Sequence, residues 1–197
     1  MQPIDFWIEY GSTYTYLSVA RIGALAAEAG VEVRWQPFFV MPIMAELGLN
    51  QGPFLPYPSK TAYMWRDIER RAQQSAVPYV RPSTYPVNSL LTARIACIAA
   101  EEGWCRAFTE SVFALHWTKN VLIGTEENIG TALAALGQSS EDVVSRAQRA
   151  QMKDRLKQQT ERAKSLGIFG APSFTVGSEL FWGDDRLEEA IEWARTH

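Results

Sequence analysis

Between Ile4 and Gln36 the hydrophobic period changes twice, and this restricts the possible folds more than any other feature of the chain. Ile4, Phe6 and Ile8 alternate with Asp5, Trp7 and Glu9, the two-residue period of a strand. Gly11-Ser12-Thr13 ends the alternation. Ser12 or Thr13 suits the cap of a helix whose apolar side runs through Tyr14, Leu17, Ala24 and Leu25 and which stops at Gly30. Val31, Val33 and Trp35 then alternate with Glu32, Arg34 and Gln36, a second strand. Strand, helix and strand in so short a span form a βαβ unit, which requires parallel strands and a right-handed crossover.

The pattern changes after that. Pro42 to Pro58 is rich in Pro and Gly and reads as a long excursion opening an insertion. About four helices follow. One starts near Ser59, and a second starts at Asn88-Ser89 and is apolar almost all round. A third carries Trp104, Phe108, Val112 and Leu115, and Ile129, Leu133 and Leu136 mark another, closed by Gly137. Ser139 and Ser140 precede one long polar helix ending at Gly167. Ala171 to Val176 and Glu179 to Trp182, joined at Gly177-Ser178, read as a hairpin, and a last helix runs from Asp185 to Arg195. The order is βαβ, helical block, ββα, an α/β chain without internal repeats.

Composition limits the partners. The chain is 47% hydrophobic and 21% charged with a formal net charge of −3, and its Lys and Arg are scattered, so no nucleic-acid-binding patch is expected. No apolar run reaches the length of a membrane span, and Met1 to Ile8 lacks the regions of a signal peptide. Cys97 and Cys105, on one straight helix, would stand about 12 Å apart, too far for a disulfide. A reduced, cytoplasmic protein is the plain expectation. His116 and His197 are too few and too distant in sequence for a metal site, and His116 reads as a partly buried helix residue.

In an open α/β sheet ligands gather beyond the carboxyl ends of the parallel strands, here at Glu9-Tyr10-Gly11-Ser12-Thr13. A helix N-terminus there favours an anion, and the Ser12 hydroxyl adds a donor to a thiolate brought by a ligand. The plainer alternative is that Ser12 only caps the helix. Ser12-Thr13-Tyr14-Thr15 stands where a dithiol oxidoreductase needs Cys-x-x-Cys, which excludes disulfide exchange by this site. Tyr10, Tyr14, Trp65 and Trp182 are candidates for the wall of an aromatic pocket.

Three segments carry a family resemblance: Ile4 to Ser18, Ser59 to Arg70, and Gly167 to Phe174 followed by Phe181 to Leu187. In this order they resemble the 2-hydroxychromene-2-carboxylate isomerases and the related kappa-class glutathione transferases, a DsbA-like group with the thioredoxin fold. The resemblance covers essentially the whole chain. It implies a thioredoxin-like domain from residues 1–41 and 167–197 and a helical insertion over residues 42–166.

Carried over residue by residue, the resemblance makes Ser12 the serine that hydrogen-bonds the glutathione sulfur. Ala171 precedes a cis Pro172 and presents its backbone to the peptide-like ligand; without the resemblance, a trans proline opening a strand is the simpler reading. Trp182, Gly183, Asp184 and Asp185 match the segment that holds the γ-glutamyl end, with Asp185 pairing the ammonium group, capping the last helix, or both. Lys60, Tyr63, Asp67 and Arg70 share one helix face. By itself that is a solvated, salt-bridged face; the resemblance makes Lys60 a partner for a carboxylate and leaves Asp67 and Arg70 structural. Tyr63, Tyr85 and Asn88 approach the substrate, although Asn88 is also a good helix cap.

The implied activity is glutathione-dependent isomerisation, in which a thiolate adds reversibly to an unsaturated carbonyl of a small aromatic-derived carboxylate. A transferase that retains the adduct is the first alternative, and a non-catalytic glutathione-binding protein the second. The family suggests a homodimer. Two departures stand out: many members have Ser-Pro at Ser12-Thr13, and many have Asn-Asp-Arg at Asp184-Asp185-Arg186, so Asp184 adds a negative charge.

Overall fold

The computed structural model describes residues 1–197. Strand β1 (Ile4–Ile8) pairs in parallel with β2 (Val33–Pro37), and helix α1 (Thr13–Ala29) makes the crossover between them. Strand β3 (Ser173–Val176) lies antiparallel on the other side of β1 and turns at Gly177 into β4 (Glu179–Trp182), giving the order β2-β1-β3-β4. The order read from the sequence is the one observed.

Local chemistry sets the ends of α1. Ser12 is its N-cap, in extended backbone, and its side chain accepts from the Thr15 amide. Gly30 closes the helix at φ 69°, and Val31 N–H reaches back to Ala26 C=O, a left-handed termination suited to glycine. In register across the centre, Phe6 meets Trp35 edge-on and Phe174 face-on, each at 5.2 Å. Such pairs add roughly 0.5–1.5 kcal/mol each beyond burial.

The chain between β2 and β3 is helical: α2 (Met41–Glu46), α3 (Pro58–Gln74), α4 (Leu90–Glu102), α5 (Cys105–Lys119), α6 (Glu126–Ala135), α7 (Ser140–Gln148) and α8 (Ala150–Ser165). Three readings need correction. The Pro42–Pro58 excursion contains α2, because Pro42 falls in the first helical turn, where no amide donor is needed. The long polar helix is two helices, because Arg149 adopts an extended conformation at ψ 151° between α7 and α8. The last helix, α9 (Leu187–Thr196), begins later than expected, after a 3₁₀ turn over Asp184–Arg186.

Ile4, Phe6 and Ile8 face a core of 41 buried residues that runs continuously from the sheet into the helical block. Trp7, on the opposite face of β1, is fully buried in a second core with Phe38, Val40, Ile43, Ala163 and Ile168. The sheet is therefore covered on both sides. Cys97 and Cys105 lie on different helices, both buried as free thiols, and burial pushes each up to about 12. No helix is long and apolar enough to cross a membrane.

Candidate functional site

Thr13 and Tyr14 are the first two residues of α1, and their amides make no backbone hydrogen bond. Ser12 stands beside them, half-buried. Its Oγ accepts from Thr15 N at 3.3 Å and donates to Ala171 C=O at 3.0 Å. Helix capping and a bond to the backbone just before β3 thus coincide in one side chain. The hydroxyl has a single proton, now given to a carbonyl, and a thiolate arriving at the helix end is a stronger acceptor for it. The Ala171–Pro172 peptide bond is cis, and so, unexpectedly, is Tyr85–Pro86.

The final strand and turn complete one edge. Trp182 is 52% exposed, and its ring lies 4.8 Å from Phe169, which is 43% exposed. Gly170 makes this possible, since a Cβ there would press on the Trp182 indole. Gly183, at φ 107°, carries the chain into the 3₁₀ turn with the Asp185 carboxylate folded back over it. Asp185 makes no capping bond, reaches only Arg186 at 3.3 Å, and remains half-exposed and open to a ligand.

Asp184 is placed differently from the expectation. It is 3% exposed, and its Oδ2 accepts Arg71 Nη2 at 2.7 Å, Arg71 Nε at 3.0 Å and Arg21 Nη2 at 3.5 Å. Burial pushes its pKa up while the two arginines pull it down. Three guanidinium donors on one oxygen keep the group an ion pair. The extra negative charge seen in the sequence is therefore neutralised inside the protein, not displayed to a ligand.

Helix α3 brings the polar face. Arg71 docks it to the 3₁₀ turn, and Tyr14 Oη donates to Asp67 Oδ2 at 3.0 Å, docking it to α1. Asp67 also takes Arg70 at 3.1 Å, so both are structural, as read. Lys60 is exposed, has no ion-pair partner, and sits 4.5 Å above the Tyr57 ring. Tyr63 is 62% exposed.

Tyr85 and Asn88, expected on the substrate side, are engaged within the protein. Tyr85 packs edge-on against Trp65 at 5.2 Å, and burial, helped by the nearby Glu9 charge, pushes its phenol up to about 12. Asn88 is exposed, with Oδ1 accepting from Leu90 N at 3.2 Å, so its side chain serves the start of α4. The aromatic pocket drawn from four residues does not form. Tyr10 lies in the core with Oη 2.7 Å from Thr109 Oγ1, Trp65 is buried, and only Tyr14 and Trp182 stay accessible.

Sequence reasoning placed Glu9 in the site turn but gave no site role to it, Ser89, Arg21, Arg71 or Phe169. Only Glu9 had a local signal: an acidic residue between the strand and the glycine of the cap turn.

The chain resembles known proteins over most of its length. A curated 2-hydroxychromene-2-carboxylate isomerase from Sphingobium xenophagum is 28% identical, with 95% of each chain covered. The glutathione S-transferase kappa 1 of Caenorhabditis elegans is 26% identical over 93% of this chain and 87% of its own. A solved 2-hydroxychromene-2-carboxylate isomerase structure superposes with a TM-score of 0.86 at 25% identity, covering 96% of this chain and 93% of that one. The DSBA-like thioredoxin domain model matches residues 3–192, and the chain belongs to that family.

Proposed function

We propose that the protein is a glutathione-dependent isomerase of the 2-hydroxychromene-2-carboxylate type. The observation that carries this reading is the joining of Ser12, at the open N-terminus of α1, to the Ala171 carbonyl. That pairing places a hydroxyl donor, two free amides and a peptide-like backbone edge together, which suits a thiol carried on a short peptide. When bound, glutathione would supply a thiolate nucleophile for reversible conjugate addition to the unsaturated carbonyl, with Ser12 and the α1 N-terminus holding its sulfur.

The chain's own residues hold and orient. Ser12 and the α1 N-terminus favour the ionised sulfur, and the Ala171–Pro172 backbone aligns the peptide. Trp182, Gly183 and Asp185 receive the γ-glutamyl end, where the half-exposed Asp185 meets the ammonium group. Asp184 supports that segment through Arg71 and Arg21. Lys60, free of any ion pair, takes a carboxylate, and Tyr63, Tyr85 and Asn88 flank the substrate. A kappa-like transferase would use the same thiol site, and the product separates the two: an isomer with glutathione recovered, or a retained conjugate.

Calorimetry with glutathione at several pH values tests the reading. Binding to the native chain is expected to release a proton near neutral pH, with the release weakened in Ser12→Ala. A charge-assisted hydrogen bond contributes roughly 1.5–3 kcal/mol, so turnover of 2-hydroxychromene-2-carboxylate should fall roughly 10- to 100-fold in Ser12→Ala. Absence of glutathione binding to the native chain would overturn the proposal.

A further inference from the structure

We infer that Glu9 is a positioning residue that ties the Ser12 turn to the Tyr85–Ser89 segment, so that the thiol side and the substrate side of the site hold one spacing. Its catalytic meaning rests on the isomerase reading; its geometry does not. Glu9 follows the last residue of β1 and is 4% exposed. Oε2 accepts Gly11 N–H at 2.9 Å and Oε1 accepts the Ser89 hydroxyl at 2.7 Å. Its own carbonyl accepts Ser12 N–H at 3.3 Å, so side chain and backbone brace the same turn. Ser89, 4% exposed, stands immediately before α4 and next to Asn88.

Three details mark a built connection. No basic side chain forms an ion pair with Glu9, so burial raises its pKa with only hydrogen bonds to oppose the shift. Such a group is costly as a mere space-filler. A side chain at Gly11 would bring its Cβ to 3.1 Å from Glu9 Oε2 and 3.4 Å from Ser89 Oγ, so glycine is what leaves room for the carboxyl. From the other side, a Cβ on Gly124 would fall on the Asn88 carbonyl oxygen. The segment is held between that backbone contact and Glu9.

Residue-resolved amide hydrogen exchange on the full chain tests the tie, using Ser89→Ala, Glu9→Ala and the double variant. In Ser89→Ala the Gly11, Ser12 and Thr15 amides should exchange about tenfold faster, although the change lies just before α4. Ser89→Thr, which keeps the hydroxyl, should restore their protection. The double variant should exchange no faster than Glu9→Ala alone, because one interaction cannot be lost twice. Glutathione binding should weaken about threefold or more in Ser89→Ala, a cross-effect that a purely local role for Ser89 would not produce. Faster exchange confined to the first turn of α4, or additive effects in the double variant, would overturn the inference. Failure of the native chain to bind glutathione would remove the isomerase reading alone, because the exchange comparison still decides the tie.

Discussion

Replacing Arg71 with methionine is expected to destabilise the protein by about 3 kcal/mol, because it strands a buried carboxylate. Asp184 has a side-chain exposure of 4% and takes two of its three guanidinium contacts from Arg71. Arg21 would remain, but at 3.5 Å and also engaged with Glu188 and the Asp184 carbonyl. For a chain of this length the melting temperature should fall by roughly 6–12 °C. The double variant Arg71→Met with Asp184→Asn should recover most of that loss, since a neutral amide costs far less to bury than an unpaired charge. Thermal unfolding of the native, single and double variants checks both statements. A single variant melting within about 2 °C of the native chain would show that Arg71 does not hold Asp184.

Acid should remove a second contribution of about 3 kcal/mol, traceable to His116. This imidazole is 3% exposed, its Nδ1 accepts the Ile123 amide at 3.4 Å, and burial lowers its pKa from 6.5 to about 4. Between those values the unfolded chain binds the proton that the folded chain refuses. The contribution is therefore whole above pH 6.5 and is lost as the pH falls toward 4. Glu9 and Asp184 act with the opposite sign, because burial raises their pKa and the folded chain holds their protons more tightly. The measurement is a difference: urea unfolding of the native chain and of His116→Asn at pH 7 and pH 4. Asparagine keeps an acceptor without a titrating ring, so its stability should fall by about 3 kcal/mol less over that interval. Equal falls in the two proteins would rule His116 out as the cause.

What the sequence made legible was local. The period change from β1 to α1 to β2, the Ser12 cap and the Gly30 stop all depend on neighbouring residues, and each is found as read. Non-local facts were hidden. Alternation put Trp7 and Glu9 on the polar parity of β1, yet α2 and α8 cover that face and bury Trp7. The break at Arg149 involves neither glycine nor proline, so nothing in the sequence announced it. Asp184 looked like a charge facing the ligand, because its partners lie 113 and 163 residues away in sequence. At the candidate site, Ser12, Ala171 and Asp185 stand on the open edge, whereas Asn88 turned out to serve a helix start and Tyr85 to pack on Trp65.

The bond from Ser12 to Ala171 spans 159 residues, and β1 has β3 as a neighbour at similar separation. During synthesis the βαβ opening leaves the ribosome early, with one flank of its central strand bare. The helical block follows and packs from mostly nearby contacts, which form quickly. The flank closes only when the β3–β4 hairpin arrives, and until then β1 presents unpaired backbone to any passing strand. A nascent chain stalled before residue 171 would thus carry the serine but not the Ala171 carbonyl it bonds. It would depend on a chaperone, or on its own speed, to keep that edge from pairing wrongly.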